Sequence, residues 1–235
     1  MPFLSEGLGP ARDNFSTNLA GLKNLRQRMA VMHERETETL KEARDAFTRT
    51  VRAARSPIAI QHLWWGGEDY AWALEFDAER LEEEQRTTRE IMLTYIITAL
   101  DEFFGRWRQE NKLSTGWPPA VPSEIEAAWR GIARKRRDKT MALKLIPHFR
   151  DRLLEIRARR AVIVHRGGIA DKKYCGDIGN HAVLGQRLLV DDAYLDPAVD
   201  FVDELTGAMA ARVYSGHQSA TDAATRSALI ARMFA

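Results

Sequence analysis

The chain has 235 residues, with 35 Lys and Arg against 33 Asp and Glu and a formal net charge of +2. That length allows one large domain or two small ones, with a core that needs no staples. The near-balance of charge excludes a uniformly polycationic binder, so any anion-binding surface must come from local clustering. A lone cysteine, Cys175, excludes an intramolecular disulfide and a multi-cysteine metal cluster, and suits a reducing cytoplasm. The opening residues, with Pro2, Glu6, Gly7, Gly9 and no apolar core, do not read as a signal peptide. The longest apolar patch, 91–100, is too short to span a membrane. The expectation is a cytoplasmic protein without a membrane partner.

Taken in chain order, residues 1–12 read as a loose arm. Phe15, Leu19, Leu22, Leu25, Met29 and Met32 then recur at steps of three and four, and Leu40, Ala43, Phe47 and Val51 extend the pattern. This predicts one long amphipathic helix from about Asn14, capped by Asn14 or Ser16, either whole or broken near Met32-His33, with an end at Ser56-Pro57. Residues 57–67 read as a connector. Its Trp64 and Trp65 suit a hydrophobic plug more often than a base-stacking platform. A second long helix is expected from Glu68 to about Asn111. Its half from Ile91 to Phe104 is apolar on most faces, which marks the central core helix. Asp101 and Glu102 interrupt that run, as a solvated stripe or as a carboxylate facing a cleft.

Pro118, Pro119 and Pro122 with Gly116 predict a loop over 112–122, and Ser123 with Glu126 fits a capping box for a helix running to about Arg137. The next helix is expected from about Lys139 to Arg166, with a kink or break at Pro147. From Arg134 to Arg160 there are eleven Lys and Arg against three acidic residues, a local excess that the net charge conceals. It reads either as a solvated helix face or as a phosphate-binding patch that includes Arg134, Lys135, Arg136, Arg137, Arg157 and Arg166. Gly167-Gly168 ends the helix, and His165 and Arg166 sit where free carbonyls and the helix dipole favour cations. Residues 167–182 read as a polar loop, Gln186 to Val190 as a short extended piece, and Asp196-Pro197 as the start of a last helix. The tail from about Ser215 reads as a weakly docking helix.

The chemistry narrows by exclusion. None of the six histidines makes a metal-binding pair at ligand spacing, and no phosphate-binding glycine loop or serine-nucleophile motif is present. What remains is arginine with histidine and no cofactor or metal. Imidazole titrates near neutrality and can move the proton of an RNA 2′-hydroxyl, while guanidiniums neutralise charge developing on the phosphate. On an ideal helix Arg160 and His165 lie roughly 140° apart, and Arg159 about 120° away on the other side. A shared site therefore needs the altered geometry of a helix end, a long arginine, or a second subunit.

At this stretch the sequence resembles the HEPN superfamily (higher eukaryotes and prokaryotes nucleotide-binding domain). Its signature is an arginine followed four to six residues later by a histidine, near the end of a helix. Arg160-Ala-Val-Ile-Val-His165 fits with four intervening residues, and Arg159 fits with five. Val-His-x-Gly-Gly, the loop with Asp171 and Tyr174, the extended piece, the final helix and the helix carrying Ala99-Leu100-Asp101-Glu102 are also similar. The likeness covers roughly residues 85–215. It implies an all-α bundle of long antiparallel helices, with 1–84 as an added N-terminal helical region and 216–235 as a tail. It also implies a homodimer whose interface cleft is lined by both subunits' Arg and His. The implied activity is a metal-independent endoribonuclease, of the toxin or phage-defence kind, with an antitoxin or defence-system partner protein. His165 would be the general base or acid, and Arg160 and Arg159 would hold the scissile phosphate. The alternative is a non-catalytic module that binds RNA, a nucleotide or a protein. Ala161 favours it, because active members usually carry a polar residue after the arginine.

Overall fold

The computed structural model describes residues 9–53, 57–113, 116–136 and 144–213, with side chains except at 57–72, 136, 212 and 213. The fold is an all-α bundle. Its helices are α1 (Pro10–Ala53), α2 (Pro57–Glu110), α3 (Pro122–Arg136), α4 (Pro147–Arg166), α5 (Lys172–Ile178) and α6 (Asp192–Val213), with a 3-10 turn over His181–Val183. Among the described residues there is no strand; one isolated antiparallel bridge joins Ile169 to Arg187. No described helix is long and apolar enough to cross a membrane.

The chain divides into two compact units, residues 1–21 with 89–235 and residues 22–88. In the larger, the apolar half of α2 is the central element. Leu93, Ile96, Leu100, Phe103, Phe104 and Trp107 are all buried, while Ile91 and Tyr95 of the same run are exposed, so the helix is buried on several sides but not all round. α3 adds Ile125 and Trp129, α4 adds Phe149, Leu153 and Ile156, and α6 adds Leu195, Val202, Leu205 and Met209. Trp107 meets Trp129 edge-on with ring centroids 5.1 Å apart, and Phe149 stacks on Phe201 at 5.3 Å. Each fully buried large side chain contributes roughly 1.5–3 kcal/mol.

The opening turns of α1 belong to this larger unit, although the sequence boundary places them in the added region. Phe15 packs edge-on against Phe103 at 5.7 Å. Arg12 is buried and donates to Asp203 at 2.5 Å and to Thr206 at 3.1 Å, and the Ala11 amide donates to Glu110 at 2.7 Å.

Several local expectations are corrected. Residues 57–67 are not a connector; their backbone is the start of α2, and the Trp64 and Trp65 side chains lie outside the described residues. α1 starts at Pro10 and passes Met32-His33 without a break. At Pro147 the expected break is present: residues 144–146 are not helical and α4 opens on Pro147, where its missing N–H costs nothing, while 137–143 lie outside the described residues. The capping box does not form, because α3 already begins at Pro122. Glu126 is buried and accepts instead from the Leu145 amide and from Arg150, each at 3.3 Å. Asp196 does not cap the last helix: Asp191 accepts from the Tyr194 amide at 2.8 Å, one turn earlier, and leaves Pro197 inside α6. The polar loop after Gly168 contains α5. The 216–235 tail and Arg137 lie outside the described residues.

Candidate nucleic-acid interface

α4 carries two polar faces and one apolar face. Phe149, Leu153, Ile156 and Val162 point into the core. At its carboxyl end Gly167 and Gly168 take φ of 58° and 82°, and their amides turn back on the Val162 carbonyl. Only glycine adopts two such left-handed steps without strain. The chain then folds back along itself. The Leu188 amide donates to the Gly168 carbonyl at 2.8 Å, and the Ala170 amide donates to the Gln186 carbonyl at 2.9 Å.

Asp171 next caps α5, accepting from the Tyr174 amide at 2.8 Å. That hydrogen bond, with Arg166 at 3.4 Å, holds its carboxyl below the usual carboxylate range against a smaller opposing effect of burial. Tyr174 and Cys175 are buried with Val162, Ala170 and Leu188, so a small apolar cluster fixes α5 against α4.

This junction leaves an open groove of about 530 Å³, lined by Leu154, Arg157, Ala161, His165 and Arg166 of α4 and by Asp171, Lys173, Tyr174 and Asp177. His165 is exposed on its wall, and Lys173 is exposed opposite. Arg157 is held by Asp101 through paired bonds of 2.7 and 3.2 Å, and Asp101 also accepts from the Ala120 amide at 2.7 Å. Asp101 is therefore neither a solvated stripe nor an open carboxylate; it fixes the guanidinium and the 118–120 loop. The groove brings His165, Arg166 and Lys173 onto one surface together with the carboxylates of Asp171 and Asp177.

The other polar face of α4 is bonded internally, beside a second groove of about 420 Å³ that Arg152 and Glu155 help to line. Glu155 accepts from Arg159 at 2.8 Å, Tyr194 hydroxyl at 2.7 Å, Tyr174 hydroxyl at 3.2 Å and Arg152 at 3.3 Å. Arg159 also donates to the Leu189 carbonyl at 2.6 Å and lies 3.8 Å over the Tyr194 ring. Burial lowers the Arg159 pKa, but Tyr194 and Glu155 outweigh it and the net shift is upward. Burial first, then Glu155, pushes the Tyr194 hydroxyl far above its ordinary value and raises Tyr174 as well.

The remaining sequence candidates are scattered. Arg160 is half-buried and does not line the groove, and its Nε is buried without a hydrogen-bond partner among the described residues. Lys135 donates to the Lys112 carbonyl and, at 3.5 Å, to the Asn111 carbonyl, and so caps the end of α2. Arg134 is exposed on α3; the Arg136 side chain and all of Arg137 are outside the described residues. Within one chain His165, Arg157 and Arg166 share a groove, whereas Arg159 and Arg160 do not join them. Sequence reasoning passed over Lys173, Glu155 and Tyr194. The Asp171–Tyr174 cap spacing and the Glu155–Arg159 step of four were the available signals. Among the described residues no group of three or more His, Cys, Asp or Glu is disposed to hold a metal. Comparison with family models, with curated proteins and with solved structures finds no match.

Proposed function

We propose that this chain acts on RNA at the groove beside the carboxyl end of α4, as a metal-independent endoribonuclease of the HEPN kind. The observation that carries the reading is the exposed imidazole of His165 in one groove with Arg166 and Lys173. In the reaction a 2′-hydroxyl attacks the adjacent phosphorus and gives up its proton, and the bond to the 5′-oxygen breaks as that oxygen gains one. His165 carries one of these protons. The products are a 2′,3′-cyclic phosphate and a 5′-hydroxyl. Arg166 and Lys173 offset the charge on the phosphate. Arg160 enters from a second copy of the chain, since in one chain it lies off the groove.

The test is RNA cleavage in EDTA by wild type beside His165→Ala. Cleavage with cyclic phosphate ends, lost in the variant, supports the reading; equal cleavage in both refutes it.

A second reading, RNA binding without cleavage, is favoured by one observation: the Arg159 guanidinium is bonded to Glu155 and to the Leu189 carbonyl, lies over the Tyr194 ring, and does not line the groove that holds His165. Intact RNA in both samples supports it if binding weakens with salt and Arg166→Ala/Lys173→Ala flattens the salt dependence. Two lost contacts to a single strand lower the log–log slope by about 1.4. Neither binding nor cleavage would refute both readings.

A further inference from the structure

We propose that the unit formed by residues 22–88 is a self-association arm that pairs with the same arm of a second copy. The proposal goes beyond the RNA reading and stands apart from it. In this unit α1 and α2, separated by residues 54–56, flank a groove of about 550 Å³ with Leu40, Phe47, Leu74 and Leu81 along its floor. Among the unit's described side chains only Leu22 and Leu81 are buried, while Leu25 and Met32 are each 52% exposed. Two helices cannot enclose an apolar seam between them, and a four-helix arrangement can.

Charge identifies the occupant. Residues 22–53 of α1 carry eight Lys and Arg against five acidic residues, and residues 57–88 of α2 carry two against eight. The groove has the same polarity at its rims, with Lys41 and Arg44 from α1 and Glu75 and Glu82 from α2. A two-fold axis sets the α1 of each copy on the α2 of the other, so the arm is complementary to itself. Pairing like helices would oppose the acidic faces of α2, and this selects one arrangement.

Ala78 lines the groove and is exposed, so Ala78→Arg fills the docking surface without removing a core side chain. Sedimentation of the full chain should show a concentration-dependent dimer whose dissociation constant rises at least tenfold in Ala78→Arg, with unchanged helical circular dichroism. As a second measurement, Glu75→Lys/Glu82→Lys and Lys41→Glu/Arg44→Glu should each associate weakly alone and regain a dimer when mixed. A wild-type monomer at tens of micromolar overturns the proposal. So does a dimer indifferent to Ala78→Arg, or, if that variant loses helicity, a charge-swapped pair that gains nothing on mixing. An arm variant that is monomeric yet cleaves RNA would uphold the arm and remove the second copy from the cleavage site.

Discussion

Glu155 gives the sharpest stability prediction. Its carboxylate is 20% exposed and accepts from two guanidiniums and two phenols, spanning α4, α5 and α6. Glu155→Ala removes the one carboxylate that all four donors share and leaves Arg159 only the Leu189 carbonyl. Removing one partner of a fully buried pair costs about 3–5 kcal/mol. The partial exposure of this group lets water enter and reduces that to about 2–3 kcal/mol. For a chain of this size the melting temperature should fall by roughly 4–12 °C. Glu155→Gln keeps the shape and one carbonyl acceptor and should lose about half as much. Urea unfolding followed by circular dichroism measures the loss. The double variant Glu155→Ala/Arg159→Ala should cost at least about 1 kcal/mol less than the sum of the singles, because they remove one shared contact. A Glu155→Ala change below about 0.5 kcal/mol, or strict additivity with Arg159→Ala, would refute the view that this cluster clamps the three helices.

Arg12→Ala should destabilise the larger unit by about 3–5 kcal/mol in urea, because it strands Asp203 in the core, and Arg12→Ala/Asp203→Ala should recover part of that loss. Asp171 has a depressed pKa, so its contribution is complete above the ordinary carboxylate value and disappears as pH falls through the folded one. Its carboxyl carbon shift should titrate below that of unstructured aspartates, and α5 amides should lose exchange protection only in that acid window. The Tyr194 pKa is raised, so the stabilisation is present below about pH 10 and is lost as pH climbs beyond it. Tyrosinate absorbance should show the Tyr174 and Tyr194 phenols ionising late, and Tyr194→Phe should remove the last of these steps.

The parts of this fold that could be read from sequence are those governed by a single period. Most of the α2 core within Ile91 to Phe104 follows from its apolar pattern, and the end of α4 follows from Gly167-Gly168. Local signals failed where a distant partner competed for the same group. Glu126 fits a capping box but lies closer to the Leu145 amide and Arg150, contacts that no spacing rule contains. Asp196-Pro197 resembles a helix start, yet Asp191 takes the cap and the helix tolerates one missing N–H at Pro197. Residues 57–67 look like a linker because of Pro57 and Gly66-Gly67, but a glycine pair is only weakly unfavourable inside a helix that continues on both sides. In the site, the basic cluster was legible as composition. Its division into Arg157 on Asp101, Arg159 on Glu155 and Lys135 on the α2 carbonyls depends on tertiary neighbours.

The helical period also decides how the motif can work. Ala161 and His165 fall seven and eleven residues after Leu154 along α4 and share the groove stripe, while Arg152, Glu155 and Arg159 form the opposite, internally bonded stripe. Arg160 belongs to neither, about 140° from His165 on an ideal helix. If an arginine of the motif reaches the substrate held at His165, the straightforward source is another copy. Mixing settles it. Arg160→Ala and His165→Ala, each inactive alone, should regain activity when combined, because a mixed dimer holds one site with both groups intact and one with neither. Random exchange makes half the dimers mixed, with one working site in two, so recovery should approach about a quarter of wild type. No recovery, with exchange of subunits verified by a labelled copy, would place both residues in one chain's site or remove Arg160 from the chemistry.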